Sequence, residues 1–439
     1  MLAMKFGGTS VGSAERIKIV ADIIKNRVDK KPVVVCSAVG GITDKLIAAA
    51  NAAAGGKVDT QEIDTKHIKI LTDLELELDI VKDELEELKS ELEEIKTLKE
   101  VSPKSWDTIV SFGERMSVKI VAAYLNKIGV KSESFNAYDI GMELEGDHGN
   151  GDIVPAAYDE LRRNIEHLDI VPIITGFIGK TKDGDIITFG RGGSDYTCAL
   201  IGAAISAEEI QIWTDVHGVM STDPRVVENA KTINELSFPE ASELAYFGAK
   251  VLHPKTILPA VEKGITVRVL NTYDPDHPGT AIMKETTKKD TKHPLKAIAF
   301  KRNINLIRVV STRMLLSHGF MAHLFNVFEK HKVCIDMVAT SEVSVSLSVD
   351  KADNLDKLRS DLSEFSKVAI EPEKALVCVV GEGMAGVPGT AAKIFNAVAE
   401  AGISMEMISQ GASEVNVSFI IDNKDVENAV QALHKEFFD

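Results

Sequence analysis

The sequence predicts an α/β protein: a layered αβα domain with a mainly parallel sheet, followed by two interleaved βαββαβ modules. Short apolar runs alternate with longer amphipathic stretches through residue 285, as strand–helix alternation around a parallel sheet requires. A polar, turn-rich stretch then breaks the pattern, and beyond it one segment occurs twice. The 439 residues suit about two to four domains of roughly 150 residues each.

The runs expected to be strands are Met4–Phe6, Val33–Cys36, Ile170–Thr175, Ile186–Phe189, Ile210–Thr214 and Thr266–Leu270. Loops at the carboxyl ends of such strands are where ligands bind. Helices are expected over Ala14–Asn26 and Tyr196–Ala204, the second capped by Ser194 or Asp195. Within residues 62–100, Leu74, Leu78, Val81, Leu85, Leu88, Leu92 and Ile95 recur at alternating spacings of four and three, a heptad seam. The same segment holds 14 acidic and 6 basic residues. One long helix, packed along its seam and solvated elsewhere, is expected. A dimerising coiled coil is the other reading.

A boundary is expected near Thr272–Pro294, where Asp274–Gly279 is rich in turn residues and Lys284–His293 is polar. Beyond it, Ser341–Asp350 (SEVSVSLSVD) recurs as Ser413–Asp422 (SEVNVSFIID), and Phe325-Asn326 as Phe395-Asn396. Each copy reads strand, helix, strand, strand, helix. The second copy ends on its helix, Val426–Phe437. Lys296–Phe300 is a spare strand, expected to cross over and complete the C-terminal sheet, which would otherwise keep a bare edge. The expected division is 1–285, a linker and crossing strand at 286–300, and modules at 301–373 and 374–439.

Composition narrows the function. With 66 acidic and 50 basic side chains the formal charge is −16 and the pI about 5.3, which argues against nucleic acid and anionic membranes as partners. No run nears the ~18–20 apolar residues of a bilayer span. Residues 1–13 lack the basic and apolar regions of a secretory signal. Cys36, Cys198, Cys334 and Cys378 are scattered, with neither disulfide nor zinc spacing. Cys36 and Cys334 sit in apolar runs and are expected to be buried. A reduced, cytoplasmic chain is expected, with no protein-held metal.

Three glycine-marked turns carry candidate chemistry. Lys5–Ser10 (KFGGTS) lies between the first strand and the first helix, where backbone N–H groups and a helix N-terminus suit phosphate and Lys5 adds mobile charge. A simple tight turn would also explain the glycines. Gly190–Asp195 (GRGGSD) sets Arg191 among glycines, where its planar fork can meet a carboxylate. Asp195 at that helix start would repel an anion unless it met a cation. Trp213–Arg225 leaves a strand with hydroxyls, Asp215 and Arg225 suited to ribose and phosphates, and Lys250 is a further cation. Gly381–Gly386 matches G-x-G-x-x-G, with Glu406 downstream, yet only 63 residues run from Val377 to the end, too few for a dinucleotide fold. No Ser-His-Asp or Cys-His set stands out.

Together, KFGGTSV, Ser111–Arg115 (SFGER), Gly176–Gly179 (GFIG), GRGGSDYT, IWTDV (212–216), TDPR (222–225) and FGAKVLHP (247–254) resemble the aspartokinases of the amino-acid kinase superfamily. The paired modules resemble that family's tandem ACT domains, of ferredoxin-like build. The resemblance implies phosphorylation of the aspartate side-chain carboxylate by ATP, opening the route to lysine, threonine and methionine. It implies catalytic roles for Lys5 and Asp195. Thr43, Glu114, Arg191 and Ser194 would hold aspartate, Arg191 on the α-carboxylate and Glu114 on the α-ammonium. ATP would lie against Lys5, Phe6, Gly7, Gly8, Ser10, Thr214, Asp215, Met220, Arg225, Lys250 and Val251, with Mg²⁺ riding on its phosphates. His217 and Met220 depart from the proline and tyrosine common in the family.

The first module looks most like that of the monofunctional, lysine-inhibited members. By that likeness Met314, Ser317, Gly319, Phe320, Met321, Asp336, Thr340, Ser341 and Glu342 would form a lysine effector site, with Asp336 on the ammonium. A homodimer through the ACT modules is implied, and possible pairing of dimers is left open. Two other readings stay open: a catalytically inactive amino-acid sensor, and a kinase for another acidic amino acid.

Overall fold

The computed structural model describes residues 1–247, 254–286, 294–315, 318–350, 354–384, 386–410 and 415–438. They form two compact units: 1–219 with 234–238 and 251–286, and 220–233 with 239–250 and 287–439.

In the first unit the chain runs β1 (Leu2–Phe6), α1 (Ala14–Lys25), β2 (Pro32–Cys36), α2 (Ile42–Ala54), α3 (Gln61–Asp73), α4 (Lys82–Leu98), α5 (Pro103–Lys127) and β3 (Ser132–Phe135). A hairpin of β4 (Leu144–Asp147) and β5 (Asn150–Ile153) follows, then α6 (Ala157–Glu166), β6 (Val171–Thr175), β7 (Ile178–Lys180), β8 (Ile186–Thr188), α7 (Gly193–Ala204) and β9 (Glu209–Thr214). After β10 (Glu235–Ser237) the chain passes through α8 (Phe238–Tyr246), which from Pro239 onward belongs to the second unit, and the first unit resumes with α9 (Pro254–Lys263), β11 (Thr266–Asn271) and β12 (Thr280–Met283). The main sheet has the order β10-β12-β11-β9-β1-β2-β6-β3, and within it only the β11–β12 pair is antiparallel. The central β1 and β2 are almost wholly apolar and nearly all buried, as strands covered on both faces must be.

Local chemistry sets the helix starts. Ser13 caps α1 by accepting from Arg16 N at 3.4 Å. Ser102 caps α5 with Pro103 at its first position, a residue whose missing N–H costs nothing there. Helix α7 begins earlier than expected: Gly192, at φ 75, is its cap, and Ser194 and Asp195 fall inside the first turn. The left-handed backbone at Gly192 does the stopping that a side-chain cap would have done.

Two other expectations are corrected. The 62–100 seam is not one helix. It breaks after Asp73, with Glu75 at φ 53, before a 3₁₀ turn at Leu78–Val81 leads into α4. Across the break Leu74, Val81, Leu88, Leu92 and Ile95 all enter this unit's own core, while Leu85 is half-buried and Leu78 is exposed. Those core contacts occupy the seam within the chain and leave no coiled coil to form. Strand β8 lies outside the main sheet, paired antiparallel with β7, because a tight turn at Thr181–Asp185 folds it straight back.

The second unit continues with β13 (Ala297–Val310), α10 (Phe320–Lys330), β14 (Ile335–Thr340), β15 (Ser344–Val349), α11 (Leu355–Ser363), β16 (Lys367–Val380), α12 (Thr390–Glu400), β17 (Met407–Gln410), β18 (Asn416–Asp422) and α13 (Val426–Phe438). Its six strands make one sheet, β14-β15-β13-β16-β18-β17. The segment read as a spare strand is the first half of β13: Ala297–Arg302 pairs with Ala375–Val380, and Ile304–Val310 with Lys367–Lys374. Both long strands turn left-handed where the halves meet, Asn303 and Glu373 each at φ 59. Two separate apolar clusters flank this join, one per module. Cys36 is buried, which pushes its thiol up to about 12, whereas Cys334 is exposed; it directly precedes β14, an edge strand of the sheet.

Candidate active site and effector pocket

Register brings the chemistry together. Phe6, Cys36 and Trp213 are aligned across β1, β2 and β9, so the loops after these three strands open at the same edge. The first of them is a tight turn in which Ser10 N and Val11 N donate to Gly7 O at 2.8 and 3.2 Å. Gly40 N donates to Gly8 O at 3.0 Å, and a Cβ on Gly8 would stand 2.8 Å from Ala38 O. Only glycine lets the β1 and β2 loops touch here. The N–H groups of Gly8 and Thr9 have no protein acceptor among the described residues. Phe6 and Ser10 brace the turn from inside. Phe6 is fully buried against Trp213, ring centroids 5.9 Å apart, and Ser10 Oγ lies 2.8 Å from Thr272 Oγ1.

Lys5 Nζ lies 2.5 Å from Asp195 Oδ1, joining β1 to the first turn of α7. Glu114, on α5, is 4 % exposed. Its carboxylate accepts from the Ala38 N–H, while Oε2 has no partner among the described residues. Burial pushes the group up to about 8. Thr43 occupies the first turn of α2, half-buried, and Ser194 is buried in α7. Arg191 is exposed between Gly190 and Gly192 and pairs with nothing among the described residues. Thr214 Oγ1 donates to Asp215 Oδ1 at 3.2 Å at the end of β9.

Met220 and Arg225 belong to the second unit, where Met220 Sδ accepts from Thr232 Oγ1 at 3.5 Å and Arg225 pairs with Asp223 at 2.5 Å. Lys250 and Val251 fall outside the described residues. Among the described residues no group of three His, Cys, Asp or Glu side chains could hold a metal, and no helix is long and apolar enough to cross a membrane.

Residues 1–271 match the amino acid kinase family and 377–437 the ACT domain. Aspartokinase 1 of Arabidopsis thaliana chloroplasts is 41% identical over 457 residues, covering 99% of this chain and 80% of that protein. The crystal structure of E. coli aspartokinase III with aspartate and ADP, an R-state, superposes with a TM-score of 0.82 at 34% identity over the full length of both chains. A T-state of the same enzyme with lysine and aspartate gives 0.80 at 35%, also over both full lengths.

The chain belongs to the aspartokinases.

In this aspartokinase the candidate effector residues cluster in the second unit, in the first of its two modules. Gly319, at φ 83, starts α10; Phe320, Met321 and Met314 pack partly buried on the module's core. Ser317 falls outside the described residues. Asp336 on β14 has a side chain 4 % exposed. Its Oδ1 meets Lys301 Nζ at 3.1 Å and accepts from the Tyr246 hydroxyl at 3.0 Å, while Oδ2 has no partner among the described residues. Burial raises the Asp336 carboxyl and the Lys301 ammonium opposes that rise. Lys301 also reaches Asp350 at 2.7 Å. Ser341 Oγ lies 2.6 Å from Ser344 Oγ, and Thr340 and Glu342 are exposed beside it. Lys301 and Tyr246 carried no signal in the sequence, because they stand 35 and 90 residues from Asp336.

Proposed function

We propose that this aspartokinase transfers the γ-phosphoryl group of ATP to the side-chain carboxylate of L-aspartate and is feedback-inhibited by lysine. The observation that carries the reading is the pairing of a cation turn with a half-satisfied buried carboxylate. Lys5 sits beside Asp195 at the Gly7-Gly8 turn, and Glu114 reaches the same loops through Ala38. A buried carboxylate with one orphaned oxygen is costly unless something cationic completes it, and the α-ammonium of aspartate supplies that charge. Arg191, exposed and unpaired among the described residues, suits the α-carboxylate bidentately.

In the reaction, an oxygen of the side-chain carboxylate forms a bond to the γ-phosphorus. The bond from that phosphorus to the β,γ-bridging oxygen breaks, and ADP leaves with the electron pair. No enzyme nucleophile is needed, so the work is alignment of two anions and neutralisation of their charge. Lys5, held by Asp195, can follow the moving charge, while the free N–H groups of Gly8 and Thr9 suit phosphate oxygens. Mg²⁺ held on the phosphates would neutralise the triphosphate; the donor set of the described residues offers it no separate protein cage.

The lysine reading is supported by Asp336, whose free Oδ2 is a place for an added ammonium. Leu315, Phe325 and Val343 are exposed apolar side chains on the same module, which suits a homodimer formed through it. The test is initial-rate kinetics on aspartate, ATP and Mg²⁺ with lysine added. Background rates with lysine still bound would make the chain a sensor. Arg191→Ala is expected to raise the KM for aspartate roughly tenfold or more, with a smaller change for ATP; equal effects on both would remove the clamp.

A further inference from the structure

One fully buried group of the first unit has no part in the reaction just described. Asp107 is 0 % exposed on the first turns of α5, and its carboxylate accepts four hydrogen bonds. His148 Nδ1 donates at 2.8 Å and Gly149 N at 3.0 Å, both from the turn of the β4–β5 hairpin. Thr188 donates with Oγ1 at 2.7 Å and N at 3.3 Å, from the end of β8. Two residues beyond Thr188, Gly190 is at φ 75, and a Cβ there would stand 2.6 Å from Gly149 O. The loop carrying Arg191 is therefore pinned at its entry and pressed on the hairpin turn, and Asp107 holds both. Tyr196, just after that loop, ties back to Asp152 on the same hairpin at 3.0 Å.

Asp107 and Glu114 are seven residues apart on one helix, two turns, or about 10.5 Å along a shared face. One end of that face offers the carboxylate read as the ammonium ligand. The other end fixes the loop of the guanidinium read as the carboxylate ligand. We propose that Asp107 is a positioning residue for aspartate recognition: α5 acts as a ruler that sets the distance between Glu114 and the Arg191 loop. The proposal rests on the reading of Arg191 as the substrate clamp. A ruler of fixed length selects for a free α-amino acid head group, since both charges must fit at once.

The experiment measures KM for aspartate and for ATP in Thr188→Val, Thr188→Ser, Asp107→Ala, Arg191→Ala and the Asp107→Ala/Arg191→Ala double variant, with melting temperatures alongside. Thr188→Val removes a single hydroxyl without changing shape, and loss of its hydrogen bond is expected to raise the aspartate KM about fivefold. Thr188→Ser keeps the hydroxyl and should stay within about twofold of the parent. ATP KM should hold in both. In the Arg191→Ala background, Asp107→Ala should add little further, because a residue acting through another is non-additive with it. Full additivity, or aspartate and ATP constants rising together, overturns the proposal. Should Asp107→Ala fail to fold, the Thr188 pair decides alone. A raised aspartate KM in Arg191→Ala with none in Thr188→Val sinks only the ruler; an unchanged KM in Arg191→Ala sinks the clamp and the ruler with it.

Discussion

Glu114 shows how one carboxyl can report on binding. Its pKa of about 8 means that the free enzyme at pH 7 holds it mostly protonated, whereas an ammonium ligand needs it ionised. Binding aspartate then releases a proton, so KM for aspartate should fall as pH rises from 7 toward 8.5 and level off above. Glu114→Gln should raise that KM and flatten this limb of the kcat/KM profile; an unchanged slope would separate Glu114 from the substrate. The same shift bears on folding. Because the folded pKa is raised above the unfolded value of 4.5, the native state binds more protons between them. The group's contribution to stability is most favourable below about pH 4.5 and declines as pH climbs toward 8, which urea titrations of parent and Glu114→Gln would register as a smaller pH slope in the variant. Lys5, Arg191 and Asp195 were legible because glycines flag their strand-to-helix turns. Glu114 was not legible from local pattern: it sits mid-helix between Gly113 and Arg115 with no turn or spacing to flag it, and only the likeness to a family singled it out.

At the scale of elements, the acidic α4 explains itself once α5 is beside it. Glu87 pairs with Arg115 and Glu84 with Lys119, so two of its carboxylates fasten it to the buried helix while its leucines fill the core between them. Leu88→Ala, at a site with no exposed surface, should cost about 2–5 kcal/mol. That loss should not vary with protein concentration, because the seam closes within one chain; a concentration-dependent loss in chemical denaturation would point to an intermolecular seam instead. The heptad period picked out five residues that are buried, but also Leu78, which is exposed, and Leu85, which is half-buried, and it did not show where the helix stops. The helix stops where Glu75 turns left-handed, which a spacing pattern does not encode. Of the main sheet, β1, β2, β6, β9 and β11 were readable from their apolar runs, whereas the short β3 (SESF), β10 (ELS) and β12 were not singled out; β8, also apolar, joins a different sheet because its short turn decides its partner. The Asp107 network was invisible for another reason, since its donors arrive from positions 41 and 81 residues away.

Across the whole molecule, regulation asks that ligands at two separate sites be coupled, and such coupling is reciprocal for binding. Asp336→Ala should abolish lysine inhibition and leave turnover without lysine near that of the parent, measured as initial rates across a lysine titration. Inhibition that persists would move the effector away from β14. Tandem modules were evident from the repeated SEV segment, but their manner of joining was only half visible, because nothing in the spare strand shows that it runs on without a break into its neighbour. β13 and β16 each serve both modules, crossing at Asn303 and Glu373. A cut made anywhere along either strand therefore frays two cores at once. Chimaeras that aim to transplant effector specificity must carry the whole six-stranded sheet as a single cassette, and a lone module excised by protease or by gene truncation has half its ladder missing.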